Sequence, residues 1–326
     1  MNRPTRDTVA GRAYLDLQNL ARKQARPNAE LQQLYVLEGF LARLAAHPEP
    51  THLVLKGGAL LAAFGDRRPT RDLDFQASHQ SNDTAEVLEV VRAVASTPLP
   101  DGLEFDIDTG RAATIREGED YSGVRVSMQA SLAGARLTFH VDVNFGDPLW
   151  PGPEPVAVPR ILGGPPILVM GYPLHMVLAE KLVTAIDLGT VNTRWRDFGD
   201  LWTLTRTHPI AGSDLTVAVE EVARYRRVTI LPLAEALTGF GSHGQARWAA
   251  WRTKQRLEAL PPNFSTVVGA LIDFADPVLA GQAANNDWDP QATTWRPLTH
   301  GRRSKCPVEM DGAHGQEAVH GENPHA

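Results

Sequence analysis

From Asn28 to Ala46 the apolar residues Leu31, Leu34, Leu37, Phe40, Leu41 and Leu44 recur three and four positions apart, the spacing of one helix face. Beyond this helix the period shortens. "LVLK" (53–56) and "DLDFQA" (72–77) have the length and apolar content of strands, and the small-residue stretch "GALLAAF" between them predicts a short helix. A helix is expected over about 83–97, opened by Asp83 and Glu86 at capping-box spacing. "FDIDTGRAATI", "GVRVSMQASL" and "ARLTFHVDVNF" follow as an antiparallel run, with Gly134 in the turn between the last two. Together these elements predict a small mixed sheet with helices.

Proline and glycine crowd residues 151–172, which read as a segment crossing between domains. After it the period is helical over 173–188, 194–207, 213–227, 243–259 and 264–275. The fold class is therefore α/β in the α+β sense: a mixed sheet with flanking helices over residues 1–165, then a helical bundle over 166–298. The stretch 299–326 lacks apolar periodicity and is expected to be a disordered tail.

Composition narrows the function classes. A chain of 326 residues can bury two cores, and 43% hydrophobic with 21% charged residues is ordinary for a globular protein. The N-terminus has no apolar core of signal-peptide length, and no apolar run reaches the length of a membrane span. A cytoplasmic protein with no membrane partner is expected. The one cysteine, Cys306, lies in the polar tail, so disulfide frameworks and thiolate metal clusters are excluded. At a net charge of -6 any contact with nucleic acid has to come from local basic patches.

The candidate chemistry lies in "LVLKGGALLAAFGDRRPTRDLDF", residues 53–75. Asp72 and Asp74 share one face of their strand while Leu73 and Phe75 point to the core. Two carboxylates so close repel one another unless solvent or a divalent cation relieves them, and hard oxygen donors of this kind suit Mg²⁺ or Mn²⁺. Gly57 and Gly58 end a strand and open a helix, where backbone N–H groups favour an anion, and Lys56, Arg67, Arg68 and Arg71 add positive charge. Each feature alone is commonplace. Their order fits a nucleoside triphosphate bound through a metal, although neither G-x-x-x-x-G-K-[ST] nor G-x-G-x-x-G is present.

A third carboxylate is expected on a neighbouring strand. In "ARLTFHVDVNFGD" the residues Leu137, Phe139, Val141, Val143 and Phe145 form a core face, leaving His140, Asp142 and Asn144 on the other. Asp142 could complete the metal site or accept a proton from an attacking hydroxyl, whereas Asp147 reads as a turn residue before Pro148.

This order of motifs resembles the nucleotidyltransferase superfamily. More closely, "LKGGALLAAFGDRRPTRDLDF", "HVDVNFGDP", "YPLHMVLAEKLVTAI" and "NTRWRDFGDLW" resemble the AbiEii/AbiGii (MenT-like) bacterial toxins over roughly residues 50–205. The resemblance implies a nucleotidyltransferase-type N-terminal domain and a toxin–antitoxin pair. It implies a metal-dependent enzyme that moves a nucleotide from an NTP to the 3′ end of tRNA and blocks translation, with a cognate antitoxin as partner. On a helical wheel Lys181 lies within the apolar arc of its helix and Glu180 outside it; the match to "AEKL" assigns Lys181 to the triphosphate rather than to snorkelling. On the next helix Asp197 lies at the edge of the apolar arc, with Arg196 and Asp200 opposite. The resemblance places a functional aspartate here, either Asp197 or Asp200.

The implied site therefore comprises Asp72, Asp74 and Asp142 for the metal, Lys56, Gly57, Gly58, Arg71 and Lys181 for the nucleotide, and Asp197. Thr70, two residues before Asp72, is a candidate regulatory phosphosite. "ARYRR" (223–227) and "RWAAWRTKQR" (247–256) put arginines beside aromatics on helices, as an RNA contact would need, although core tryptophans with a solvated basic face give the same pattern. Transfer to a protein, transfer to a small molecule, and a catalytically inactive nucleotide- or RNA-binding module share these motifs.

Overall fold

The sequence periods become layers in a computed structural model that describes residues 4–77, 82–115 and 123–298. The tail from 299, with Cys306, lies outside the described residues. Helix α1 (Val9–Lys23) is capped by the Thr8 hydroxyl and precedes α2 (Asn28–Ala46), which has the bounds its leucine spacing predicts. Strand β1 (Leu53–Lys56) runs into α3 (Gly57–Leu60), then β2 (Asp72–Ala77) and α4 (Thr84–Ala95). The Asp83 carboxylate caps α4 by accepting from the N–H groups of Ala85 and Glu86. The antiparallel run follows as β3 (Leu103–Ile115), β4 (Gly123–Leu132) and β5 (Ala135–Phe145). Its tight turn places Ala133 and Gly134 at φ 48° and 86°, the left-handed geometry of a two-residue hairpin.

The stretch read as a domain crossing is instead a hairpin, β6 (Glu154–Val158) and β7 (Ile167–Gly171), that completes one edge of the sheet. The prolines misled because an edge strand tolerates them: β6 is terminal in the sheet and carries Pro155. Strand order is β3-β4-β5-β2-β1-β7-β6, with β2 parallel to β5 and β1 parallel to β7, which makes the sheet mixed.

One face of the sheet is sealed by α2. Phe40 packs against Phe75, Phe105 and Phe139 at ring separations of 6.5, 6.4 and 5.6 Å, and all but the half-buried Phe105 are inaccessible to solvent. Alternation then sends Asp72, Asp74 and Asp142 to the opposite face. Over that face lie α5 (Leu174–Leu188), α6 (Trp195–Thr207) and α7 (Gly212–Arg226), the first two matching the helical periods closely. Strand β8 (Ile210–Ala211) lies between α6 and α7.

The remaining helices are α8 (Leu233–Ala236), α9 (Phe240–His243), α10 (Gln245–Gln255) and α11 (Phe264–Leu279). They share a core in which Phe264 packs against Trp195, Phe198, Phe240 and Trp248 at 5.0 to 5.4 Å. The single helix expected over 243–259 is divided between α9 and α10, which stops at Gln255 where Arg256 takes a left-handed φ of 55°. Strands β9 (Asn286–Asp289) and β10 (Thr294–Pro297) join β8 in a second, three-stranded sheet that the sequence pattern did not suggest. Among the described residues no helix is long and apolar enough to cross a membrane.

Candidate active site

Strand register assembles the site. Lys56 on β1 lies opposite Asp74 on β2, Asp74 opposite Asp142 on β5, and Asp142 opposite Arg125 on β4. Cross-strand partners share a face, so these four form one row with the charges plus, minus, minus, plus. In the adjacent row Asp72 lies opposite His140, and His140 opposite Ser127, whose Oγ is 2.8 Å from His140 Nδ1. Asp72, Asp74 and Asp142 therefore lie on one face of the sheet.

Like charge is felt most at Asp74. Burial, then Asp72 and Asp142, push its carboxyl up to about 6, against the opposing pull of Lys56 and the Gly58 N–H. Thus an N–H group expected to await an anionic ligand is already given to Asp74. Gly57 is irreplaceable for two reasons: its φ is 65°, and a Cβ there would stand 2.1 Å from Asp74 Oδ2. Gly57→Ala is expected to cost about 2 kcal/mol or more through backbone strain and the clash. Gly65→Ala, at φ 80° with open space around it, should cost only the strain. Denaturant titration of both variants isolates the clash, and equal costs would show that the carboxylate simply moves aside.

Arg125, which sequence reasoning passed over, holds Asp142 with Nε to Oδ1 at 2.7 Å and Nη2 to Oδ2 at 2.6 Å, and its Nη2 lies 3.7 Å from Asp72 Oδ2. The donor chemistry of the three carboxylates fits a hard divalent cation, because they are oxygen donors on one face of adjacent strands, and the buried Asp74 carboxyl is raised by its two neighbours as well as by burial. As the side chains stand, however, among the described residues no group of three or more His, Cys, Asp or Glu is disposed to hold a metal ion.

The helical layer adds two ionic knots. Lys56 Nζ reaches Asp147 Oδ2 at 2.6 Å and Glu180 Oε1 at 3.1 Å, and lies 5.2 Å from the centre of the Tyr172 ring. Burial opposes the charge on Lys56, but Glu180, Tyr172 and Asp147 outweigh it and the ammonium is held more firmly than usual. Asp147 is therefore part of the cleft, correcting its reading as a simple turn residue: Gly146 turns at φ 83° and swings Asp147 onto Lys56. Lys181 Nζ donates to Asp197 Oδ1 at 2.5 Å and to Asp200 Oδ2 at 2.7 Å. Asp200 also takes Arg68 Nε at 3.0 Å and Nη2 at 3.2 Å. Asp200 was expected opposite the apolar arc, yet its side chain is 3% exposed, because the two cations give a buried charge its partners. Burial works against the charge on Asp197, but Lys181 outweighs it and holds the carboxyl below its usual range.

Some of these groups line a cleft of about 1090 Å³ between sheet and helices: Asp74, Asn144, both lysines, Asp147, Glu180, Arg68 and Asp197 do, whereas Asp72, Asp142, Arg125 and Asp200 do not. Arg71 does not line it either. It immediately precedes the strand, on the face opposite Asp72, and is exposed; Arg68 from the same loop reaches the cleft in its place. Arg67 goes elsewhere, to Glu38 and the Pro159 carbonyl. Thr70 is buried, with its hydroxyl donating to Asp72 Oδ1 at 3.1 Å. Of the basic–aromatic stretches, Trp248 is core and Arg252 caps the following turn at the Leu260 and Glu258 carbonyls, whereas Arg226 and Trp251 line the cleft.

A glycine pair packed on an Asp-x-Asp strand, with a third aspartate in register beside it, is consistent with the nucleotidyltransferase class that the order of motifs resembles. A family described as nucleotidyl transferase AbiEii toxin, type IV toxin–antitoxin system, matches residues 39–270, and the chain belongs to that family. It is thus an enzyme of the nucleotidyltransferase kind from a toxin–antitoxin system. A solved structure from H. pylori, provisionally described as a nucleotidyltransferase, is 15% identical with a TM-score of 0.46, over 78% of this chain and 96% of that one. JHP933 from Helicobacter pylori is 17% identical with a TM-score of 0.45, over 82% of this chain and 94% of that one. The search of curated proteins found no match.

Proposed function

We propose that this toxin transfers a nucleoside monophosphate from an NTP to the 3′ end of a tRNA, so that the tRNA is no longer aminoacylated and translation stops. The observation that carries the reading is the meeting, in one cleft, of Asp74, which lies in register beside Asp142, with Lys56, Arg68, Lys181, Arg194, Arg196 and Arg226. A wholly acidic pocket would suit a cationic small molecule; this mixture suits a polyanion brought to a row of acids.

In this reading Asp72 and Asp74, with Asp142, would hold Mg²⁺ or Mn²⁺, which when bound supplies neutralising charge to the triphosphate. The chain's own groups do the rest. The acceptor hydroxyl loses its proton to a carboxylate of the row, for which Asp142 is the candidate. Its oxygen bonds to the α-phosphorus, the α–β bond breaks, and pyrophosphate leaves against Lys181 and Arg68. Asp197 orients Lys181, and the exposed Gly57 lets the phosphates approach the backbone while the Gly58 N–H holds Asp74. The NTP is the donor substrate, a cognate antitoxin is the partner, and the cytoplasm, where charged tRNA is made, is the site of action.

The test is incubation of the purified protein with Mg²⁺, bulk tRNA and each NTP labelled at the α-phosphate, beside Asp72→Ala. Label on tRNA from one preferred nucleotide, absent with the variant, is the expected result. Label moving to protein would replace tRNA by a protein acceptor.

A further inference from the structure

Arg125 is the charged member of the acidic row that the reaction above leaves unused. Its grip on Asp142 is set by strand register, since Arg125 and Asp142 are paired residues of β4 and β5. It takes both oxygens of Asp142 and approaches Asp72, so two of the three carboxylates already have a cation. The two partners differ in freedom: the Arg125 side chain is 40% exposed, while that of Asp142 is 9% exposed and fixed on its strand. Arg125 can leave without opening the core.

A two-pronged guanidinium covers the lone pairs that a divalent cation would use, so the two compete for the same oxygens. With Arg125 withdrawn and no cation present, Asp72, Asp74 and Asp142 would face one another with only Lys56 nearby, itself tied to Asp147 and Glu180. With both present, the cation would take the Asp142 and Asp72 oxygens that the guanidinium holds, and Arg125 would be left without a partner until a phosphate arrived. A guanidinium is also well matched to phosphate oxygens.

We propose that Arg125 is a resident counter-cation that holds Asp142 and Asp72 until a phosphate-bearing ligand takes its guanidinium, so that divalent metal and triphosphate load together. The inference rests on the metal-dependent reading above and adds an order of events to it. Coupling of this kind is reciprocal: nucleotide tightens metal, and metal tightens nucleotide by the same factor.

The experiment is Mn²⁺ binding to the full chain, followed by electron paramagnetic resonance, with and without a non-hydrolysable NTP analogue. Wild type should bind Mn²⁺ weakly alone and about tenfold or more tightly with the analogue, within the range by which residues around metal ligands alter affinity. Arg125→Gln should bind Mn²⁺ without the analogue as tightly as wild type binds it with the analogue, which then adds little. Arg125→Lys, which keeps the charge but loses the fork, should fall between, and it decides the matter if the glutamine variant does not fold. Equal Mn²⁺ affinity in wild type and both variants would overturn the proposal while leaving the metal site standing. No Mn²⁺ binding in any protein, with or without the analogue, would overturn the metal-dependent reading itself.

Discussion

Asp200→Ala is expected to unfold at markedly lower denaturant, at a cost of about 3–5 kcal/mol, the range found when one partner is removed from a buried ion pair. The carboxylate bridges Lys181 from the neighbouring helix and Arg68 from the β1–β2 loop, so its loss leaves two cations without their shared partner in a nearly closed site. The same contacts tie the sheet to the helical layer, alongside His208 on the Phe64 carbonyl at 2.8 Å. Asp197→Asn should behave differently. Its side chain is more accessible, it lines the cleft, and Lys181 would retain Asp200. That variant should fold with little loss while nucleotidyl transfer falls about 10²-fold, the scale for a group that positions charge in the transition state. Urea titration paired with the labelled-transfer assay separates the two roles. If Asp197→Asn unfolds as readily as Asp200→Ala, the two aspartates form one structural knot and neither is the catalytic partner of Lys181.

How much of this could be read from the chain depends on the range over which each contact is encoded. The α2 helix and the aspartate face of β2 are local patterns, and both emerge in the structure as the spacing predicts. Arg125 was legible too. A two-residue turn at Ala133 and Gly134 fixes Leu132 opposite Ala135, and counting outward sets Arg125 opposite Asp142; the turn was recognised but its register was not followed. The Asp200 contacts are of another kind. A helical wheel sorts residues by polarity along one helix, and it cannot show that Arg68, far away in sequence, returns to bury a charge on the polar side. Asp147 on Lys56 also depends on packing between distant segments. The three-stranded sheet of β8, β9 and β10 left no periodic trace because its strands are two to four residues long; Trp288 and Trp295 anchor it through indole N–H groups on the Thr205 and Phe274 carbonyls.

Asp74→Asn should cut transfer about 10³-fold and yet make the protein more stable at neutral pH. The folded-state carboxyl titrates near 6, above its ordinary value of 3.8, because burial and two neighbouring carboxylates disfavour its charge. A group shifted upward in this direction favours the fold fully below its unfolded value, and that contribution is lost as pH rises through the folded value. Wild-type melting temperature should therefore carry a decline between about pH 4 and pH 6 that the asparagine variant lacks. Above pH 6 the variant should melt a few degrees higher. Catalysis runs the opposite way, since the ionised carboxylate is the form that serves the proposed reaction. At subsaturating Mg²⁺, where proton and cation compete for Asp74, wild-type transfer should rise through about pH 6, and the variant should sit about 10³-fold lower across the whole range. Melting and transfer measured over one pH series give both slopes from the same samples. A variant that is inactive but no more stable than wild type at pH 7.5 would mean that Lys56 and the Gly58 N–H already compensate Asp74, and the case for uncompensated charge awaiting a cation would fall with it.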